Sequence, residues 1–312
     1  MTQIICGVDV SSETLDARIG PDGAQARFAA TPEGIESLAA FCREHQVTLA
    51  VMEATGGYEK LAHTLLWSRG IPTAVVNPRM VRRFAEAMGL EEKTDRIDAG
   101  VIAWYAAAKR VVAQEPASAV QERLKALVTR LRQLTELRTM QSNQRRLVAE
   151  ADVNSLFSDM MTLIARQTRE LETKIAALIE SNPLWQKLDE GFRTIKGVAD
   201  RTVARIMAEM PEIGTLSNKA VAKLAGLAPL AKDSGKSKGK RNTRGGRTHL
   251  RNILFVVAET VRRYNPVFAD LHERLTKAGK AKKVIRVALA RKLLVQLNAK
   301  ARDARTELAL AA

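Results

Sequence analysis

The 312 residues are too many for one ordinary compact domain and predict two or three. Fifty Lys and Arg against 34 Asp and Glu leave a formal charge of +16, which points to a polyanionic partner, nucleic acid ahead of membrane. No apolar run approaches the roughly 18 residues of a membrane span, no signal pattern opens the chain, and Cys6 and Cys42 alone indicate neither a disulfide framework nor a zinc site. The expectation is a cytoplasmic protein.

Gln3 to Val10 is a short apolar run containing Asp9, as suits a buried central strand. Leu15 to Ile19 and Gln25 to Ala29 alternate weakly around the turn Pro21-Asp22-Gly23 and read as antiparallel partners. Thr31-Pro32-Glu33 starts a helix, with a capping hydroxyl, proline at the first helical position and an acid behind it. Thr48 to Met52 is another buried strand, delivering Glu53 and then Thr55-Gly56-Gly57. A helix from Tyr58 to Ser68, a strand from Ile71 to Val76 and a helix from Pro78 to Met88 complete a mixed α/β sheet. Arg79, Arg82 and Arg83 on that last helix either contact phosphates or form a solvated face.

Lys93-Thr94-Asp95-Arg96-Ile97-Asp98-Ala99 opens a further helix, and its two aspartates fall on one face about a turn apart. Taken alone, they read equally well as acids favoured at the positive end of a helix dipole. Asp9 and Glu53 alter the balance, because both end central strands, where α/β sheets place ligands. Four carboxylates gathered there would repel by several kcal/mol if desolvated without compensation. Two divalent ions about 4 Å apart would remove that repulsion and form the clamp used in phosphodiester chemistry. Lys93 and Arg96 beside them could balance charge or touch the strand.

Gly7-Val8-Asp9-Val10-Ser11, Glu53-Ala54-Thr55-Gly56-Gly57-Tyr58 and Lys93 to Ala99 together resemble the three acidic motifs of the IS110-family (IS110/IS1111) transposases, also called DEDD recombinases. The resemblance implies a RuvC-like domain with an RNase H fold. Within it Asp9, Glu53, Asp95 and Asp98 would bind Mg²⁺, with Mn²⁺ as a substitute.

From Gln121 to about Ile179 glycine and proline vanish, and Leu124, Leu127, Leu131 and Leu134 recur at three- and four-residue steps. Leu156, Met160, Leu163, Leu171, Ile175 and Leu178 repeat the pattern after a faltering stretch around Glu150 to Asn154. This predicts an antiparallel helical hairpin or a long coiled coil, an arm for assembling subunits. The expected division is a catalytic domain over residues 1–115, the arm over 116–182 and a mainly helical C-terminal domain over 183–312.

Within the last third, Ile195-Lys196-Gly197-Val198 followed by a helix from Asp200 to Met210 resembles a helix-hairpin-helix, whose turn amides bind phosphate. Between Lys232 and Arg251 eight basic residues meet one acid. Lys232, Lys236, Lys238, Lys240, Arg241, Arg244, Arg247 and Arg251 are candidate phosphate contacts, and the glycines among them predict a flexible loop. The spacing is not that of a P-loop. Lys282 and Lys283 fall in a basic amphipathic helix predicted over Lys277 to Lys292, with Val284, Val287 and Leu289 on its apolar face, and the tail from Thr306 to Ala312 is expected to fray.

Gly226-Leu227-Ala228-Pro229, Asp233-Ser234-Gly235 and Arg244-Gly245-Gly246-Arg247 resemble the C-terminal transposase domain of the same family, whose motif makes Ser234 the nucleophile. A serine hydroxyl needs activation, and no histidine base lies beside it, since His249 is fifteen residues on. The resemblance therefore implies a recombinase that acts on donor and target DNA through a 5′-phosphoserine. It would be guided by a structured bridge RNA and work as a dimer or tetramer on the bacterial nucleoid, without a membrane. Two rivals carry clear discriminants. A RuvC-like Holliday-junction endonuclease using water would survive loss of Ser234, and a non-catalytic nucleic-acid scaffold would survive loss of Asp9.

Overall fold

The computed structural model describes residues 3–90, 95–230, 233–234, 237–239 and 241–311, with backbone alone at 95–98, 233–234, 237–238 and 311. It forms two compact units, Met1–Ala117 and Ser118–Ala312.

The first unit contains strands β1 (Ile5–Val10), β2 (Thr14–Ile19), β3 (Gln25–Ala29), β4 (Leu49–Glu53) and β5 (Thr73–Val76). Its helices are α1 (Pro32–Glu44), α2 (Glu59–Ser68), α3 (Pro78–Ala87) and α4 (Asp95–Lys109). The sheet order is β3-β2-β1-β4-β5, antiparallel across β3-β2-β1 and parallel across β1-β4-β5. This is the mixed α/β sheet expected. The pleat divides β1 between two cores. Val8 and Val10 join Leu15, Met52 and the α1 residues Ile35 and Leu38 on one side. Ile5 joins Leu49, Val51 and the α4 residues Val101, Ile102 and Ala106 on the other. At about 2 kcal/mol for each large apolar side chain buried, the central strands are fixed from both faces.

The predicted cap at Thr31 forms, and a second, not predicted, forms at Asn77. Thr31 Oγ1 accepts from Gly34 N at 3.2 Å, and Asn77 Oδ1 accepts from Arg79 N at 2.9 Å. β5 starts at Thr73 rather than Ile71, because Ile71 N donates to Leu66 O and so closes the turn after α2. Cys6 and Cys42 are both buried free thiols.

The second unit begins with α5 (Ala119–Arg145) and α6 (Ala151–Glu180), packed on each other as a two-helix hairpin. Leu124, Val128 and Leu131 at its base share one core with Ile175, Leu178 and Ile179. The same core takes in α7 (Pro183–Arg193), α8 (Asp200–Glu209), α10 (Thr248–Tyr264) and α12 (Lys282–Ala311). Two short helices, α9 (Asn218–Leu224) and α11 (Pro266–Lys277), complete the bundle.

Three expectations need correction. The basic stretch from Lys277 is not one helix: α11 ends there and α12 begins at Lys282. Val284, assigned to its apolar face, is exposed, whereas Ile285, Leu289 and Leu293 are buried. The tail does not fray, since α12 runs to Ala311. Just ahead of it the helix is anchored by buried Ala301 and Ala304 and by Arg305, which donates to Ile213 O at 2.8 Å and to Pro211 O at 2.7 Å. Among the described residues no helix is long and apolar enough to cross a membrane.

Candidate active site

Parallel pairing of β1 with β4 sets Val8 opposite Met52. One step further, Asp9 and Glu53 stand side by side at the ends of adjacent central strands, both half-buried. They share the pleat face of Ile5, Leu49 and Val51, against which α4 packs. Gly7 permits that packing. A Cβ there would lie 1.9 Å from Ala99 O and 2.7 Å from Ala103 N, so only glycine lets the helix backbone rest on the strand. The first turn of α4, from Asp95 to Asp98, immediately precedes Ala99. The helix that begins with two of the predicted acids thus packs on the sheet face that carries the other two. The side chains of Asp95, Arg96 and Asp98, and all of Lys93, lie outside the described residues.

After Glu53 the chain turns through Gly56 at φ 78° and Gly57 at φ 118°, conformations that L side chains rarely adopt. A residue that sequence reasoning missed, Glu59, organises this turn. Its carboxylate is buried, and one oxygen accepts from Thr55 N at 3.0 Å, Gly57 N at 2.9 Å and Thr55 Oγ1 at 3.4 Å. At a helix start an acid reads as a dipole partner, which hid this role. Behind it, His63 Nδ1 lies 2.8 Å from Thr73 Oγ1, and burial pushes the imidazole down from its ordinary pKa against the raising influence of Glu59.

Asp9 and Glu53 offer the hard oxygen donors that a divalent cation takes, on adjacent positions of a rigid sheet. Among the described residues no group of three or more metal-ligating side chains occurs. The donors fit half of the predicted tetrad.

In the second unit, the segment expected to be a flexible loop is a ribbon. β6 (Pro229–Leu230) pairs with β9 (Asn242–Thr243), and β7 (Asp233–Ser234) pairs with β8 (Ser237–Lys238). Ser234 sits opposite Ser237, at the hairpin end of the inner pair. The side chains of Ser234 and Lys238, and all of Lys232, Lys236 and Lys240, lie outside the described residues. Arg241 and Arg244 are exposed. Arg247 is engaged internally, donating to Glu209 O and Glu212 Oε2, each at 2.7 Å, while Arg251 donates to Gly245 O at 2.6 Å. Burial would push the Glu212 carboxyl up, but hydrogen bonds from Arg247 and its own backbone, with the Arg247 charge, hold it below its ordinary value. Arg79, Arg82 and Arg83 lie exposed on α3, Lys196 is exposed in the turn between α7 and α8, and Lys282 and Lys283 are exposed at the start of α12.

Residues 6–150 match the model of the DEDD transposases of the IS110 type, and residues 189–273 match that of the IS116/IS110/IS902 transposase family. The pilin gene-inverting protein of Moraxella bovis is 30% identical over 310 residues, covering 94% of this chain and 94% of that protein. Its counterpart from Moraxella lacunata matches over the same shares. The chain belongs to the IS110 family of transposases. As a transposase it binds DNA and is an enzyme of DNA cleavage and rejoining. Another relative is an insertion element IS110 protein of 43.6 kDa from Streptomyces coelicolor. It is 33% identical over 153 residues, or 48% of this chain and 36% of that protein. A RuvC structure from Thermus thermophilus aligns over 36% of this transposase and 99% of its own chain, at 13% identity and a TM-score of 0.25.

Proposed function

We propose that this transposase is a serine-dependent DNA recombinase in which Asp9, Glu53, Asp95 and Asp98 form the acidic centre and Ser234 is the nucleophile. The observation that supports this reading is the position of Asp9 and Glu53, each one step beyond the Val8–Met52 pair on neighbouring strands, on the face that packs against the helix beginning at Asp95. The carboxylates would hold Mg²⁺, or Mn²⁺ in its place, which when bound would supply positive charge to the reacting phosphate.

The Ser234 hydroxyl forms a bond to phosphorus as the bond from phosphorus to the 3′ oxygen breaks. The proton lost by the serine is balanced by the one the departing 3′ hydroxyl gains. One phosphodiester replaces another, so rejoining needs no external energy source. The 5′ attachment follows the family resemblance. Exposed Arg241 and Arg244 are suited to the developing phosphate charge. A structured bridge RNA pairs with donor and target DNA, leaving the protein to read shape and phosphates. A dimer or tetramer carries the arms, and the reaction takes place on the bacterial nucleoid.

The test uses the full chain with its co-purifying RNA, a candidate DNA junction and Mg²⁺. A denaturant-resistant protein–DNA adduct mapping to Ser234 is the expected result. Continued cutting by Ser234→Ala would instead identify a hydrolytic RuvC-like endonuclease, and recombination by Asp9→Asn would remove Asp9 from the chemistry.

A further inference from the structure

Antiparallel neighbours in a sheet turn to the same side. Asp9 is paired with Asp16, and Gly7 with Arg18; across the next ladder Asp16 is paired with Arg27, and Arg18 with Gln25. The face that bears Asp9 and Glu53 thus continues outward across β2 and β3 as Asp16, Arg18, Gln25 and Arg27. The opposite face of the same two strands is apolar, with Leu15, Ala17 and Phe28 in or against the α1 core. One side of the outer sheet is core, and the other is a polar strip beside the acids.

The strip is shaped. Asp16, Arg18, Gln25 and Arg27 line a recess of about 290 Å³ together with Ala99 of α4. The Arg18 side chain lies against Gly100, where a Cβ would come within 3.3 Å of its Cδ. Its Nε is buried without a hydrogen-bond partner among the described residues. Arg18 as a whole is half-buried and lines the recess, so its other guanidinium donors, not the buried Nε, are the ones a ligand would meet. Asp16, itself buried, pairs with Arg27 at 2.8 Å, so these four side chains carry one net positive charge.

We propose that this recess binds the phosphodiester backbone of a nucleic-acid strand lying beside Asp9 and Glu53, with Arg18 as the principal phosphate contact. A guanidinium is suited to this task, since its fork of donors matches phosphate oxygens. Gln25, exposed on the recess wall, adds a neutral donor, and Arg27 sets the local charge through Asp16. The assignment rests on the recombinase reading above, because it places the strand next to the acidic centre.

The test measures binding of the full chain, carrying Asp9→Asn to prevent cutting, to labelled duplex DNA, single-stranded DNA and structured RNA across a salt series. Each phosphate contact contributes about 0.9 to the log–log salt slope on duplex and about 0.7 on single strands. Arg18→Met, which keeps the stem and removes the charge, should lower the slope by about one contact on the nucleic acid that occupies the recess, and Arg18→Lys should restore most of it. Gln25→Glu changes an exposed side chain and tests the recess without touching the core; it should weaken the same ligand several-fold. An unchanged slope in Arg18→Met together with unchanged binding by Gln25→Glu overturns the phosphate site while leaving the recombinase reading intact. Failure of the parent chain to bind any of the three nucleic acids would overturn both.

Discussion

The two segments predicted to carry the chemistry are built in opposite ways. Asp9 and Glu53 end strands clamped between two apolar cores, and their spacing is set by backbone pairing on a sheet five strands wide. Ser234 lies on a ribbon whose ladders are two residues long, rooted through Arg247 in Glu209 and Glu212. Charge-bearing ligands that must act together tolerate little displacement, and sheet ends hold them with precision. The pairing that carries Ser234 is short and local, whereas that of Asp9 and Glu53 belongs to a wide sheet. The comparison yields a rule. Substitutions that shift the sheet should abolish chemistry, whereas substitutions around the serine should act through one side chain.

The strongest break would come at the acids. Asp9→Asn or Glu53→Gln should lower strand cleavage by about 10³-fold or more, the scale of losing one electrostatic element of a catalytic centre. Nucleic-acid binding should persist, and the thermal midpoint should hold or rise as repulsion is relieved. Parallel cleavage gels and thermal melts would check this. A variant that cuts within tenfold of the parent would remove Asp9 and Glu53 from the centre. Next in size is Gly7→Ala, a change of one methyl group. Its Cβ would meet Ala99 O at 1.9 Å, so α4 must move, at about 3 kcal/mol of stability by the usual cost of overpacking. Denaturant titration reads the stability, and cleavage should fall beyond the loss of folded protein, since α4 carries two acids.

Asp9 and Glu53 are legible in the sequence because an acid ending an apolar run is locally conspicuous, and the cap at Thr31 is legible because its partner, Gly34, lies three residues away. What escaped depends on distance along the chain. Gly7 reads as one more glycine until Ala99 arrives 92 positions later to rest on it. Arg18 and Arg27 look like weak alternation until the register sets them beside Asp9. The paired strands around Ser234 look like loop in the sequence because two-residue strands are too short to show a period. The end of α12 looks frayed in the sequence because it is polar and alanine-rich, and the partners of Arg305 just ahead of it, Pro211 and Ile213, are remote in sequence.

Glu59 sharpens the contrast at smaller scale, since it holds the turn after Glu53 without belonging to the acidic centre. All three of its hydrogen bonds go to one oxygen, so Glu59→Gln retains an acceptor and Glu59→Ala does not. The alanine variant should lose about 1–3 kcal/mol, the cost of stripping buried donors of their partner. Its kcat should fall with KM little changed, and the glutamine variant should recover most of both. Equal defects in the two variants would show that charge rather than hydrogen-bond acceptance matters at this position.

The smallest effect tests the serine side alone. Glu212 is held below its ordinary pKa in the folded chain, whereas unfolding returns it to about 4.3. Between those two values the unfolded chain binds more protons, so stability rises with pH there. The contribution is complete above about pH 4.3 and is lost as pH falls through the lower folded value. Glu212 and Arg247 are both about one-third exposed, which screens the pair and keeps the effect modest. Glu212→Gln should therefore flatten part of the acid limb of the melting profile while leaving the midpoint near neutrality slightly lower. Hydrogen exchange adds the spatial reading. In acid the amides of β6 to β9 should lose protection in the parent before those of β1 and β4, and in the variant they should already be less protected at neutral pH. Equal loss across both units would mean that Arg247 and Glu212 stabilise the ribbon no more than they stabilise the rest of the chain.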